Sequence, residues 1–151
     1  MAQITSTFSR DGNRIPIWTD GIIASKSRTY DGTAGNGTAG AVTLFTVTGD
    51  IIANVFSVCS VNMAGTASTI EVGITGNTAA LIAQTNGTAI SSGQIWLDAT
   101  PATIESLPTA KLITNGTDII ETIASGTATA GALTFYCTWR PLSSDGNVVS
   151  A

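Results

Sequence analysis

The stretch Gly131–Arg140, with the sequence GALTFYCTWR, decides the fold. Its large apolar side chains fall on alternate positions, at Leu133, Phe135, Cys137 and Trp139. The positions between them are mainly polar, at Thr134, Tyr136, Thr138 and Arg140. A period of two is typical of a half-buried β-strand. Pro141 ends the strand, because proline cannot donate to a ladder of hydrogen bonds. We therefore expect Gly131–Arg140 to be the central strand of a sheet.

Further short strands are predicted at fairly regular spacing through the body of the chain. Ile51–Val61 is a long apolar run that predicts a strand buried on both faces. The other predicted strands are Val42–Thr48, Thr69–Ile74 with Ile70, Val72 and Ile74 inward, Ala79–Ala83, Gln94–Leu97, Lys111–Ile113 and Asp118–Ile123. Asn86-Gly87 and Asn115-Gly116 are hairpin signals, and Pro101–Pro108 is either a short strand or a helical turn. No segment sustains a helical period, so helix should be scarce.

This pattern predicts an all-β protein with a single antiparallel β-sandwich or jelly-roll-like domain. Gly49–Val55 resembles Thr117–Ile123, which either marks equivalent strands of two Greek-key halves or is a coincidence. Residues 1–40 contain few apolar residues that could anchor a core. We therefore divide the chain into an extended N-terminal arm or peripheral hairpin at 1–40 and a β-sandwich body at 41–151.

Charge is unusually sparse in this chain. Charged residues make up 11% of the sequence, against about 25% in an ordinary soluble domain. Such a surface is either covered by copies of the chain or a larger partner, or belongs to a small threonine-coated domain that tolerates low charge. The net charge of −4 argues against free nucleic acid as a partner, because no basic footprint exists. The start of the chain shows neither an export signal nor a membrane span.

The basic residues are concentrated at the front of the chain. Four of the six lie in the first thirty positions, at Arg10, Arg14, Lys26 and Arg28. This asymmetry favours an arm that docks on an acidic neighbour, although chance explains it equally well with so few charges. Trp18 beside Pro16 is a suitable anchor for such an arm. The residues that we predict at a subunit or capsid interface are Arg10, Arg14, Ile15, Pro16, Trp18 and Arg28.

Enzymatic chemistry has few candidate residues here. The chain has no histidine, which removes the common general base and the common metal ligand. Glu71, Asp98 and Glu105 lie in different predicted elements, and their spacing suggests no catalytic pair. Cys59 and Cys137 lie in apolar strands and are expected to be reduced, with a disulfide across a sheet as the alternative. We expect no enzyme activity, no cofactor and no metal.

Two stretches resemble small structural proteins of tailed bacteriophages. Phe8–Ile17, with the sequence FSRDGNRIPI, is similar to the front of many small virion proteins. Gly131–Gly146, which ends in WRPLSSDG, is similar to the back of small proteins encoded near the major capsid protein. The resemblance implies a virion component of the capsid cement or decoration type. Such proteins are β-rich dimers or trimers that bind the outer capsid at joints between capsomers.

The function predicted from the sequence is therefore a virion structural protein that binds the major capsid protein and stabilises the capsid. Its predicted location is the capsid surface of a virion assembled in the host cytoplasm, as a homo-oligomer without nucleic acid or membrane. One alternative is a tail, fibre or baseplate β-module. Another is a host-facing carbohydrate-binding domain, in which Trp96 beside Gln94 and Asp98 stacks on a sugar.

Overall fold

Twelve β-strands make up the regular structure in the part of the chain that the computed structural model describes. That part comprises residues 22–151 and the backbone of two short strands near the N-terminus. One 3-10 turn, Gly87–Ala89, is the helical piece among these residues. The strands are β1 (Ser9–Arg10), β2 (Pro16–Ile17), β3 (Ile22–Tyr30), β4 (Gly40–Thr48), β5 (Ile51–Thr66), β6 (Thr69–Ile74), β7 (Asn77–Asn86), β8 (Ile95–Trp96), β9 (Lys111–Ile113), β10 (Ile119–Ala124), β11 (Thr127–Pro141) and β12 (Asn147–Ser150).

The strands form two antiparallel sheets that face each other, which confirms the all-β sandwich. The first sheet has the order β12-β4-β10-β6-β7. The second has the order β3-β11-β5-β8, and β9 also pairs with β5. The short strands β1 and β2 pair separately with each other. Neighbouring long strands along the chain often belong to opposite sheets, as β4, β5 and β6 do, so the two inner faces share one core.

The strand β11 lies inside the second sheet, as its alternation predicts. It pairs with β3 on one side and with β5 on the other, so that Trp139 lies between Ile22 and Ala53. Its four inward side chains are buried, at Leu133, Phe135, Cys137 and Trp139. They share a core with residues of the first sheet such as Phe45 and Ile119. Gly131–Arg140 therefore does form a central strand.

The sheet takes in nine residues of the region that we predicted to be an arm. Ile22–Tyr30 forms β3, a strand of the second sheet paired along its length with β11. Its alternation is hard to see in the sequence because two inward positions are basic, at Lys26 and Arg28. The Lys26 ammonium donates to the backbone carbonyl of Ala151. Within the described residues the body thus begins at Ile22 instead of Ala41.

The two Asn-Gly hairpin predictions are wrong. Asn86 ends β7, and its side-chain oxygen accepts a hydrogen bond from the backbone N–H of Thr88 at 3.1 Å, which caps the 3-10 turn. Asn115 and Gly116 do have positive φ angles, 59° and 61°. However, the strands on either side of them, β9 and β10, belong to different sheets. An Asn-Gly pair specifies a local turn, whereas the strand partners are chosen by long-range packing.

Two other local predictions are also refined. Every second residue at the start of β5 is buried, from Ile51 to Cys59, and the residues between are half-buried. The strand is thus more exposed on its outward side than a strand buried on both faces. Pro101–Pro108 forms neither a strand nor a helical turn, although Ala102 makes an isolated bridge to Ile95.

Candidate interaction surface

The predicted interface residues lie mostly outside the described residues. Arg14, Ile15 and Trp18 belong to this group. Arg10 and Pro16 are described as backbone only, and they face each other in the pairing of β1 with β2. Their roles at an interface therefore stay predictions. Arg28 is the one member of the set whose side chain is described.

The Arg28 side chain forms an ion pair inside the sandwich. Its Nε donates to Oε2 of Glu121 at 2.9 Å, and the two side chains are 9% and 1% exposed. The Tyr30 hydroxyl donates to the other carboxylate oxygen of Glu121. Glu121 lies on β10 of the first sheet, whereas Arg28 and Tyr30 lie on β3 of the second. We call these three residues the inter-sheet cluster.

The Arg28 guanidinium also holds the loop that follows β3. Its Nη2 donates to the carbonyl of Gly35 at 2.6 Å, and its Nη1 donates to Oδ1 of Asn36 at 3.3 Å. The guanidinium carbon lies 5.6 Å from the centre of the Tyr30 ring, which adds a cation–π contact. Arg28 thus bonds three partners within its own chain. Its predicted role toward another subunit stays a prediction.

Burial dominates the electrostatics of the inter-sheet cluster. It raises the pKa of Glu121, although the Tyr30 hydrogen bond and the charge of Arg28 lower it. Burial and then the Glu121 charge raise the pKa of Tyr30 well above its ordinary value. Tyr30 therefore remains a hydrogen-bond donor at neutral pH. The three groups satisfy one another, which is typical of a structural cluster.

Trp96 does not form a sugar-binding platform. Its side chain is 0% exposed and lies in the core, with its ring edge-on to Phe135 at 6.1 Å between centroids. The indole N–H donates to the Thr85 hydroxyl at 2.8 Å. Thr85 belongs to the first sheet and Trp96 to the second, so this hydrogen bond also joins the sheets. The carbohydrate hypothesis required an exposed ring at Trp96, and this part of it is wrong.

The second sheet presents a broad surface on the side away from the core, which we call the outer face. At its centre the rings of Phe56 and Tyr136 stack at 5.3 Å with an interplanar angle of 21°. Beside them the hydroxyls of Ser27 and Thr134 lie 3.1 Å apart. The residues of the outer face, taken from the strand pairing, are Ile23, Ser25, Ser27, Thr29, Ala132, Thr134, Tyr136, Thr138, Arg140, Ile52, Asn54, Phe56, Val58, Val61, Ile95 and Leu112.

The outer face combines apolar side chains with very little charge. Arg140 is the one charged residue in the set just defined, and it lies at one end of β11. Ile23, Val61 and Leu112 are large apolar side chains that are about half or more exposed, up to 70% for Leu112. Ile104, in the loop that joins β8 to β9, is 85% exposed. Exposed apolar surface of this extent is typical of a surface that another protein covers.

The sequence pointed to only part of this surface. The alternation of Gly131–Arg140 placed Tyr136 outward, but the apolar run of β5 predicted that Phe56 would be buried. The pairing of Phe56 with Tyr136 depends on the register between β5 and β11. That register joins positions eighty residues apart, so no local pattern contains it.

The two cysteines are free thiols in the core. They lie on the adjacent strands β5 and β11, but Cys59 faces Leu133 and Cys137 faces Val55 in the register. The disulfide alternative is therefore excluded in this fold. Burial raises the pKa of Cys137 to about 12, from an ordinary value of 9.0.

Stability should accordingly fall as the pH rises from about 9 toward 12. Over that range the unfolded chain releases the Cys137 proton and the folded chain keeps it, so the unfolded state binds fewer protons. This group alone lowers the free energy of unfolding by ~1.4 kcal/mol per pH unit. Urea unfolding at several pH values measures the slope. In the Cys137→Ala variant the free energy of unfolding should fall less steeply with pH, because only Tyr30 and Cys59 still have raised pKa values. A slope equal to that of the unmodified protein would contradict the role of Cys137.

Other kinds of site find little support in the described residues. Within them, no three His, Cys, Asp or Glu side chains come together in a way that could hold a metal ion. A search of the same residues for a long apolar helix able to cross a bilayer finds none. The outer face is thus the most distinctive candidate site among the described residues.

Comparison with known proteins does not establish a family for this chain. No protein-family model matches it, and no curated protein matches it. Among solved structures, a chain of the "Cyanophage Pam1 capsid asymmetric unit" is similar over 87% of this chain and 96% of its own length. The sequence identity is 20% and the TM-score is 0.35. A likeness at this level carries no argument about function.

Proposed function

We propose that this protein is a structural component of a bacteriophage virion, of the cement or decoration type. It binds the major capsid protein on the outer surface of the head and stabilises the joints between capsomers. The protein acts there as a homo-oligomer, after assembly in the host cytoplasm. The observation that carries the proposal is the outer face, a nearly uncharged sheet surface that exposes apolar side chains. Such a surface suits a protein that works inside a larger assembly.

The sequence at both ends of the chain supports the same function. Phe8–Ile17 and Gly131–Gly146 resemble small virion proteins of tailed phages. The second of these stretches contains β11, the strand that contributes Tyr136 and Arg140 to the outer face. One of the two stretches that resemble phage proteins thus also contributes residues to the outer face.

Docking on the capsid is assigned to the segment that precedes β3. Lys26 and Arg28 bond within the body, to the carbonyl of Ala151 and to Glu121. The other two cations of the first thirty residues, Arg10 and Arg14, precede the body. The few charges and apolar side chains of this segment make a small contact, so each copy binds modestly. A symmetric array of docked copies then supplies the avidity.

Deleting residues 1–21 should lower binding to assembled capsid shells by at least ~10-fold, because each lost charge pair and apolar anchor weakens a modest contact. The deletion stops before Ile22, so the strand β3 and the sandwich remain whole. Cosedimentation of the variant with purified shells measures binding, and circular dichroism checks the fold. Lys111→Gln, a charge removal in the body, is the matched control and should bind normally.

Undiminished binding of the deletion variant would count against the docking role of this segment. Electron microscopy of virions labelled on this protein separates the head from the tail. Label on the tail, a fibre or the baseplate would replace the cement assignment by a β-module of those structures.

We also propose that the protein has no catalytic activity. The carboxylate that burial perturbs most clearly, Glu121, is held by Tyr30 and Arg28 inside the core. It has no open cleft in which to meet a substrate. Turnover of any substrate by the purified protein would contradict this proposal.

A further inference from the structure

We infer that the outer face is the surface by which two copies of this chain pack against each other, with their second sheets face to face. This inference deepens the proposed function, because it assigns the homo-oligomer contact to the outer face and leaves the segment before β3 for the capsid. Three properties of the surface support a second copy as the occupant. They are its charge, its layout and its area.

The charge of the outer face fits a copy of itself. In a two-fold dimer the same patch lies on both sides of the contact, so any charged patch would meet its own sign. The centre of the outer face avoids this problem, because it is made of Phe56, Tyr136 and neighbouring serine and threonine residues, with no acidic or basic side chain among them. Sheets that pack at ~10 Å can bury such side chains without leaving a charge unpaired.

The position of Arg140 then selects the orientation of the two copies. It lies four residues beyond Tyr136 on β11, a distance of ~14 Å along the strand. Consider a two-fold axis that lies in the interface and runs across the strands, along the row of Ser25, Tyr136 and Phe56. This axis places the two Arg140 side chains at opposite ends of the interface. They are then ~27 Å apart, well beyond the screening length of ~8 Å at physiological salt. An axis along the strands would instead bring both to one end.

The area of the outer face is adequate for a dimer. The three long strands β3, β11 and β5 lie at ~4.8 Å spacing, with the short β8 and β9 beside β5. With nine residues at ~3.4 Å rise, they give a surface of roughly 20 by 30 Å once side chains are included. This corresponds to ~600 Å² from each copy, or ~1,200 Å² in total. Specific interfaces begin at about that size. The exposed apolar side chains of Ile23, Leu112 and Val61 lie toward the borders of the same surface.

The test is the oligomeric state of the full chain and of charge-insertion variants in solution. Analytical ultracentrifugation of the unmodified protein should give a dimer, with twice the chain mass of 15.3 kDa. Ser25 is exposed and lies in the row along the proposed axis. Ser25→Glu should therefore place two carboxylates opposite each other and weaken the dimer by at least ~100-fold, because opposed like charges cost several kcal/mol at an interface. Phe56→Ser should weaken it as well, by removing the apolar centre.

Val149→Glu is the matched control, since Val149 is an exposed apolar residue on β12 of the first sheet. It should leave the dimer intact, and thermal unfolding checks that all three variants fold. A monomer, a trimer, or a dimer that both Ser25→Glu and Phe56→Ser leave intact would overturn the inference. The measurement needs no capsid, so its failure is separate from a failure of the docking experiment.

Discussion

Replacing Arg28 with methionine should lower the free energy of unfolding by about 3–5 kcal/mol, which is the usual cost of removing one partner of a buried ion pair. Arg28 and Glu121 are almost fully buried, and their 2.9 Å contact joins the two sheets. Methionine keeps the apolar stem but leaves the Glu121 carboxylate without its cation. Urea unfolding at pH 7, followed by tryptophan fluorescence, measures the loss.

The pH dependence of the same variant identifies the cause. Without the Arg28 charge, the already raised pKa of Glu121 rises further. This rise costs stability at pH values above the unfolded carboxyl pKa near 4.5, where the unfolded chain has released its proton. Below that pKa both states are protonated, so the cost of Arg28→Met should be smaller at pH 4 than at pH 7.

A double-mutant cycle provides the control. Glu121→Gln removes the charge and keeps an oxygen that can accept the Tyr30 hydrogen bond. The double variant Arg28→Met/Glu121→Gln should therefore be more stable than the sum of the single losses implies. Strict additivity together with a cost independent of pH would show that the ion pair contributes little and that packing of the Arg28 stem explains the loss.

Replacing Trp96 with alanine should destabilise the protein by about 3–5 kcal/mol, the range for truncating a large buried aromatic side chain. Trp96 is fully buried between the sheets, and its removal leaves a cavity beside Phe135. It also leaves the Thr85 hydroxyl without its indole donor. Chemical denaturation monitored by circular dichroism measures the effect.

Trp96→Phe separates the cost of the cavity from the cost of the lost hydrogen bond to Thr85. It keeps much of the ring volume and removes the indole donor, so about 1 kcal/mol of its cost should come from the lost hydrogen bond. A wild-type stability for Trp96→Ala would contradict the buried position of this residue. Any loss of sugar binding by Trp96→Ala would have to be judged against this loss of stability.

The Arg28–Glu121 ion pair and the Trp96–Thr85 hydrogen bond both join the two sheets. Arg28 and Trp96 both belong to the second sheet and both bond to residues of the first, Glu121 and Thr85. Each fixes the position of one sheet over the other. The sandwich is thus held together from within, and the outer face is left available for contact with another molecule.

The sequence by itself determined the β-character of this protein and the faces of its clearest strands. In Gly131–Arg140 every second residue is apolar, and a pleated strand sends every second side chain to the same side. The inward positions of Leu133, Phe135, Cys137 and Trp139 therefore follow from local alternation. The same argument worked in part for Thr69–Ile74, where Ile70 and Val72 are buried and Ile74 is half-buried, although Glu71 between them is buried as well.

Only the tertiary structure decided which strands are neighbours and what their side chains meet. The sequence presents Arg28 as a surface cation and Trp96 as a possible ligand platform, because residue type says nothing about partners 93 or 11 positions away. Most of the strand β3 was hidden for the same reason, since its inward lysine and arginine break the apolar alternation. Strand pairing and burial depend on the packing of the whole chain, and a local period of two cannot specify them.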